Sequence, residues 1–344
     1  MFIQMEARLT YIMKNKRITN IIYTIVIFST FLGCEKNEYA YYKLELDNTI
    51  NCNGKIISNQ TDHDIYNIKS TKDYYFFLTK KNNHIIHIYK NNQDHIHKQI
   101  LLTDSFINQN KKYYFTKEVS HTSNSNTLYM IKDKKQLLKL DITDDYTDIK
   151  TLSSNLPPNS TEYNVISNTY FASTFQQAKK IPYYRFANSK YLWTKPDPLI
   201  KNKIGNSISY INHLCVNEKH KRAVVAYRFV NFLSFYDLNG ELQSTVEIET
   251  NELPHKIELG DANITKFFID IYGTEKYVYC LYSGSSDLTA PSKILKFNWN
   301  GKHINTFQLD RPIQLFAVDE KNKYIIAVSS YNTKGQDIIQ FKLS

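Results

Sequence analysis

Four histidines lie close together near the start of the chain and are the first candidates for metal chemistry: His84, His87, His95 and His97. His84 and His87 are three residues apart beside a predicted strand, so their side chains point to opposite faces. His95 and His97 share a face, but of a predicted outermost strand. We therefore favour a solvated sheet edge here and assign no metal ligand.

A second candidate set is rich in side-chain oxygens and accompanies four predicted inner strands, near Tyr163–Asn168, Ser207–Asn212, Ile264–Ile271 and Ile313–Val318. Its members are Glu162, Asn164, Asn212, Asp270 and Asp319. Such ligands suit calcium, whereas turn and capping roles are commoner for Asn and Asp. A calcium-dependent hydrolase or lactonase with a site in a central channel therefore stays open as the alternative function.

Motifs with a recognised mechanism are missing from the sequence. There is no Gly-rich phosphate loop, nucleophile elbow, HExxH or CxxC pattern. Cys215 and Cys280 lie inside apolar runs, which predicts buried free thiols. We predict no cofactor, assign no catalytic residue, and expect a protein that is more a binder than an enzyme.

Cys34 follows a segment typical of export signals. Met13–Arg17 is basic, Ile21–Leu32 is a short apolar core, and the residues after Cys34 are abruptly polar. The ending Phe31-Leu-Gly-Cys34 resembles a bacterial lipobox, which implies cleavage before Cys34 and acylation of that cysteine; a conventional signal peptide or uncleaved anchor is the alternative. We expect residues 1–33 to be a signal with its true start at Met13, and residues 34–40 to be a lipidated tether.

The stretch from Arg222 to Ile248 predicts three antiparallel strands. Ala223–Tyr227 is an apolar run, Phe232–Tyr236 follows a short break, and Asn239-Gly240 suits a tight hairpin turn. From Glu241 to Ile248 polar and apolar residues alternate, as expected at a half-solvated sheet edge. This pattern is typical of one propeller blade.

Weaker copies of that hairpin recur about every 50 residues, a period typical of propellers. The copies are Ile86–Asn92, Leu137–Thr143, Tyr183–Ser189, Leu233–Asn239, Ile294–Asn300 and Ile338–Ser344. The sixth copy leaves a four-stranded blade without its outer strand. We therefore predict an all-β, six-bladed β-propeller over residues 41–344, closed when Tyr41–Leu46 or Gly54–Ile57 pairs with the last blade.

Composition restricts the class of partner. The 344 residues include 27 Tyr and 19 Phe and carry a formal charge of +10. Aromatic residues favour pleated, half-buried surfaces. The positive charge is scattered in short pairs and forms no basic stripe, so we predict no nucleic-acid partner.

From about Trp193 onward the chain resembles the TolB-like six-bladed propeller lipoproteins of Bacteroides and its relatives. The resembling stretches are Lys195–Ile200, Asn202–Tyr210, the blade described above, Phe268–Tyr272, Tyr277–Ser283 and Leu315–Asp319. The resemblance implies a propeller in the bacterial cell envelope, at the outer membrane or periplasmic face, and supplies no catalytic motif. We expect a monomeric propeller, held to the membrane by its lipid, that binds a protein or glycan partner.

Overall fold

The computed structural model describes residues 39–46, 49–60, 64–80, 84–91, 95–102, 113–116, 126–133, 135–144, 147–154, 156, 160–166, 169–174, 182–187, 190–203, 210–250, 264–321, 323–329 and 335–343. Cys34 and the signal lie outside the described residues. Within them no helix is long and apolar enough to cross a membrane.

Three strands precede the repeated part of the chain: β1 (Ala40–Leu44), β2 (Thr49–Cys52) and β3 (Gly54–Gln60). The first three blades follow in chain order. Blade one contains β4 (Asp64–Ser70), β5 (Tyr74–Lys80), β6 (His84–Lys90) and β7 (Lys98–Leu102). Blade two contains β8 (Tyr113–Phe115), β9 (Thr127–Lys132), β10 (Gln136–Ile142) and β11 (Thr147–Ser153). Blade three contains β12 (Ser160–Ile166), β13 (Thr169–Thr174), β14 (Tyr183–Ala187) and β15 (Lys190–Trp193).

A short helix, α1 (Pro198–Lys203), comes next, and three further blades follow it. Blade four contains β16 (Asn212–Asn217), β17 (Arg222–Tyr227), β18 (Phe232–Asp237) and β19 (Leu242–Ile248). Blade five contains β20 (Lys266–Gly273), β21 (Tyr277–Ser285), β22 (Lys293–Asn298) and β23 (His303–Leu309). Blade six contains β24 (Ile313–Asp319), β25 (Tyr324–Ser329) and β26 (Gln336–Lys342).

The predicted closure of the ring is confirmed. β3 pairs antiparallel with β26 and supplies the missing outer strand of blade six. The other candidate segment has a different role, since β1 adds in parallel to β19 of blade four. β2 likewise adds in parallel to β23 of blade five. The N-terminal chain therefore follows the outer edges of blades four, five and six before blade one begins.

The hydrophobic core lies between blades rather than inside one layer. Separate apolar clusters join blades one and two, two and three, three and four, and four and five, and a larger cluster joins blades five, six and one. Every neighbouring pair of sheets is thus sealed by apolar contacts, which drive ring formation through burial of both sheet faces. Three free thiols are buried in this core, as predicted for two of them: Cys52, Cys215 and Cys280.

Two expectations for blade four need correction. β19 is not a half-solvated edge, because β1 covers it and Thr245 is fully buried. The inner strand is Asn212–Asn217, later in the chain than Ser207–Asn212. The prediction missed the tight turn that joins β16 to β17, because this turn contains no Gly or Pro and places Lys221 at a φ of 52° instead.

Asp197 ties α1 to blade four. Its Oδ1 accepts the backbone N–H of Leu199 at 2.9 Å, as a helix cap does. Its Oδ2 accepts the hydroxyls of Ser234 and Thr245 at 2.7 and 2.6 Å. The Pro196-Asp-Pro198 stretch is therefore a rigid connection whose aspartate, fully buried, is shared by three donors.

Candidate functional site

One cavity of about 470 Å³ occupies the central channel and is lined by all six inner strands. Blade four also contributes Arg228, just beyond the end of β17, and blade five contributes Leu288 from the loop after β21. The volume of the cavity is in the range that small-molecule sites occupy.

Glu162 on β12 and His213 on β16 are hydrogen-bonded across the boundary between blades three and four. Oε1 of Glu162 lies 2.7 Å from Nδ1 of His213. Oε2 of the same carboxylate accepts the backbone N–H of Leu214 at 3.0 Å. Both oxygens of Glu162 are therefore used to hold β16 and to orient the imidazole, whose side chain is only 15% exposed.

The register between β16 and β17 places Arg228 beside His213. His213 pairs with Ala226, and the backbone N–H of Arg228 donates to the carbonyl of Ile211 at 2.9 Å. Residues two apart on a strand share a face, so His213 and Arg228 are diagonal neighbours on one face of blade four. Burial lowers the pKa of Arg228, and the nearby Glu162 carboxylate only partly opposes this shift. The guanidinium nevertheless stays charged, as it does in proteins generally.

The other two charged residues in the lining have structural partners. The buried Lys69 amine donates to the carbonyl of Thr116 at 3.0 Å and lies 5.5 Å above the ring of Tyr272. Oδ1 of the buried Asp270 accepts the backbone N–H of Ile271 at 2.9 Å. Both residues contribute charge to the cavity while their positions are fixed by the inner strands.

The sequence-predicted oxygen set divides in two. Glu162 and Asp270 line the cavity. Asn164 instead donates to the carbonyl of Leu214, and Asn212 donates to the carbonyls of Pro182 and Tyr210. Asp319 accepts the hydroxyl of Tyr75 at 2.8 Å. These three side chains secure contacts between and within blades.

Calcium does not fit the described lining. A calcium site needs six to eight oxygen ligands. The described lining offers two carboxylates and the side-chain amides of Asn67 and Gln314. The Glu162 carboxylate already accepts through both oxygens, and the cations Lys69 and Arg228 share the cavity. Among the described residues no group of three or more His, Cys, Asp and Glu side chains is placed to hold a metal ion. The geometry therefore gives no support to the calcium-dependent alternative.

The histidines of blade one are more buried than expected. His84 is 9% exposed and its Nδ1 lies 2.8 Å from the hydroxyl of Tyr66, a cavity residue. His87 is 3% exposed, and its Nε2 lies 3.0 Å from Oγ1 of Thr79. A solvated edge does not describe these two residues, because each is buried and has a hydrogen-bond partner inside the blade.

Sequence reasoning missed His213, Arg228 and Lys69. Arg228 falls in what reads as a break between two strands, and His213 follows an inner strand that was placed too early. Once β16 is fixed at Asn212–Asn217, the pairing of β16 with β17 brings the first two together. Lys69 carries no local signal, since its partners come from blades two and five.

The sequence matches no protein-family model and no curated protein. Among solved structures, it is similar to a member of the DUF4221 family from Bacteroides vulgatus, at 11% identity and a TM-score of 0.53, covering 84% of this chain and 98% of that one. An exported protein from Bacteroides fragilis matches at 11% identity and a TM-score of 0.49, covering 88% and 98%. The calcium-binding protein regucalcin from Agrobacterium tumefaciens matches at 10% identity and 0.47, covering 87% and 98%.

At these identities the likeness concerns the fold alone. The match to the DUF4221 protein agrees with the six-bladed propeller described above. The fold implied by the resemblance to Bacteroides propellers is therefore confirmed, whereas the TolB-like family itself stays a prediction.

Proposed function

We propose that this protein is a lipid-anchored binding module of the bacterial cell envelope, and that its propeller recognises a glycan by receiving part of it in the channel cavity. The observation that carries the proposal is the cavity itself, where all six inner strands bring aromatic and charged side chains to one place. Pockets with an apolar lining and a few convergent polar groups are the usual ligand sites of such folds.

Binding fits the lining better than catalysis does. The described lining contains no Ser or Cys nucleophile, and the Thr116 hydroxyl donates to the carbonyl of Tyr129 at 3.1 Å. Aromatic rings that suit the C–H faces and hydroxyls of a sugar also line the cavity, from four tyrosines and two phenylalanines: Tyr66, Tyr114, Tyr163, Tyr272, Phe115 and Phe316.

A glycan array tests the proposal with two matched variants of the full chain. Gln314→Trp places an indole in the cavity, whereas Gln243→Trp makes the same change on the exposed side of β19. We expect the wild type and Gln243→Trp to bind the same glycans, and Gln314→Trp to lose about tenfold or more in affinity. Equal glycan binding by all three proteins, or binding only to envelope proteins, would contradict the proposal.

The envelope location rests on the export signal and on Cys34. Metabolic labelling with an alkyne fatty acid, followed by membrane fractionation, tests it. We expect Cys34→Ala to abolish the fatty-acid label and to release the protein from the membrane fraction. Cys52→Ala changes a thiol buried in the propeller and should keep both the label and the membrane association. Undiminished labelling of Cys34→Ala would refute the lipid anchor.

A further inference from the structure

The imidazole of His213 offers the cavity an acceptor. Its Nδ1 lies 2.7 Å from an oxygen of Glu162, a carboxylate that also accepts a backbone N–H. Nδ1 therefore carries the proton and donates, which leaves the lone pair of a neutral ring on Nε2. Nε2 is buried, lies in a cavity-lining residue and has no hydrogen-bond partner among the described residues.

The guanidinium of Arg228 offers the same cavity a donor and a positive charge. Its Nε is buried and has no hydrogen-bond partner within the described part of the chain. No ion pair within 4 Å involves Arg228 in that same part, and Glu162 already uses both oxygens elsewhere. An unmatched buried donor is costly, and a ligand oxygen that reaches it recovers that cost.

Lys69 and Asp270, the other charged residues of the lining named above, already have partners. Lys69 is committed to the Thr116 carbonyl and to the Tyr272 ring, and Asp270 accepts from its own strand. Arg228 is thus the cation of the described lining whose Nε still lacks a hydrogen-bond partner. A planar carboxylate matches the planar fork of a guanidinium better than a neutral hydroxyl does.

We propose that the cavity takes a hydroxy acid of sugar size, with its carboxylate against Arg228 and a neighbouring hydroxyl donating to Nε2 of His213. This inference rests on the proposed function and specifies its ligand as an acidic sugar, a uronic acid being the simplest member of the class. Glu162 acts as a positioning residue, because it fixes the tautomer that lets His213 accept.

Titration calorimetry of the full chain with glucuronate and with glucose tests the inference, because the two sugars differ in having a carboxylate or a CH₂OH group. We expect glucuronate to bind about tenfold or more tightly than glucose. Arg228→Gln should remove that preference. Arg222→Gln, the matched control, makes the same change at the other end of β17, outside the cavity lining, and should keep the preference.

Thermal melting of each variant separates loss of binding from loss of folding. Should Arg228→Gln fail to fold, Arg228→Lys keeps the charge without the fork and should weaken glucuronate binding more than glucose binding. Equal affinities for the two sugars, no binding of either at millimolar concentrations, or a preference that survives in folded Arg228→Gln would each overturn the inference.

The outcome for the proposed function is separate. If the array shows binding of neutral glycans and Gln314→Trp abolishes that binding, the glycan-binding cavity is supported and the acidic ligand is contradicted. Array binding that Gln314→Trp does not change would remove the cavity as the site, and both proposals with it.

Discussion

Gly54, the first residue of the strand that closes the ring, has no room for a side chain. A Cβ built there would lie 2.5 Å from Cγ2 of Ile339 and 2.7 Å from Cε1 of Phe341. Both neighbours on β26 are fully buried, so neither can move freely into solvent. The closing strand depends on this close approach.

The expected cost of Gly54→Ala follows from two opposing effects. Replacing Gly by Ala restricts the unfolded chain and stabilises by about 0.4–1 kcal/mol where the backbone permits it. Overpacking a filled core destabilises by about 1–3 kcal/mol. We therefore expect a net loss of about 1–2 kcal/mol in the free energy of unfolding, and a larger loss for Gly54→Val.

Urea unfolding and thermal melting followed by circular dichroism measure this loss. A change of about 1 kcal/mol lowers the Tm of a large domain by about 2–4 °C. Lys55→Ala is the control, because the neighbouring side chain is exposed and its truncation should stay within about 0.5 kcal/mol. A Gly54→Ala protein as stable as the wild type would refute the packing of β3 on β26 in this register.

Three further predictions concern Asp197, Asp310 and the buried thiols. Asp197→Ala removes the acceptor shared by three donors and should lower the free energy of unfolding by about 3 kcal/mol, with Asp197→Asn less affected; equal urea midpoints for Asp197→Ala and wild type would contradict this. The hydrogen bond from Arg311 holds the pKa of Asp310 below its ordinary value, so the stability that Asp310 contributes is present above its unfolded pKa and is lost as the pH falls through the folded one. Acid titration of Tm should therefore show a steeper loss for wild type than for Asp310→Asn, and parallel curves would oppose it. In a Cys34→Ala background, the three buried thiols should react with a thiol reagent only after unfolding, since burial raises the pKa of Cys280 and all three are shielded; labelling of the native protein would contradict the packing.

Much of the architecture could be predicted from sequence because each blade repeats a local pattern. Asn239-Gly240 and Asn300-Gly301 are hairpin turns in the structure, with Gly240 and Gly301 at φ of 88° and 86°. Counting strands predicted that Tyr41–Leu46 or Gly54–Ile57 closes the ring, since a closed sheet ring leaves no spare edge; the structure shows that the second segment does so, within β3.

The parallel addition of β1 and β2 to blades four and five could not be predicted in the same way. The sequence of β1, Ala40–Leu44, favours a strand but does not identify the strand it pairs with. Its partner lies about two hundred residues away, and the register is fixed by contacts such as the hydrogen bond from the Tyr41 hydroxyl to Glu247.

The candidate site was harder to predict than the fold. The cavity collects single residues from six strands that are far apart in sequence, so no spacing marks them. Glu162 and Asp270 could be predicted because acidic residues beside inner strands are candidate metal ligands. His213 and Arg228 became visible only when the pairing of β16 and β17 was known.

A crystal structure of the full chain grown with glucuronate tests the central claim most directly. We expect the sugar inside the channel, with its carboxylate within hydrogen-bonding distance of the Arg228 guanidinium and a hydroxyl at Nε2 of His213. Glucuronate bound at the outer edges of the blades, with the channel cavity empty, would contradict it.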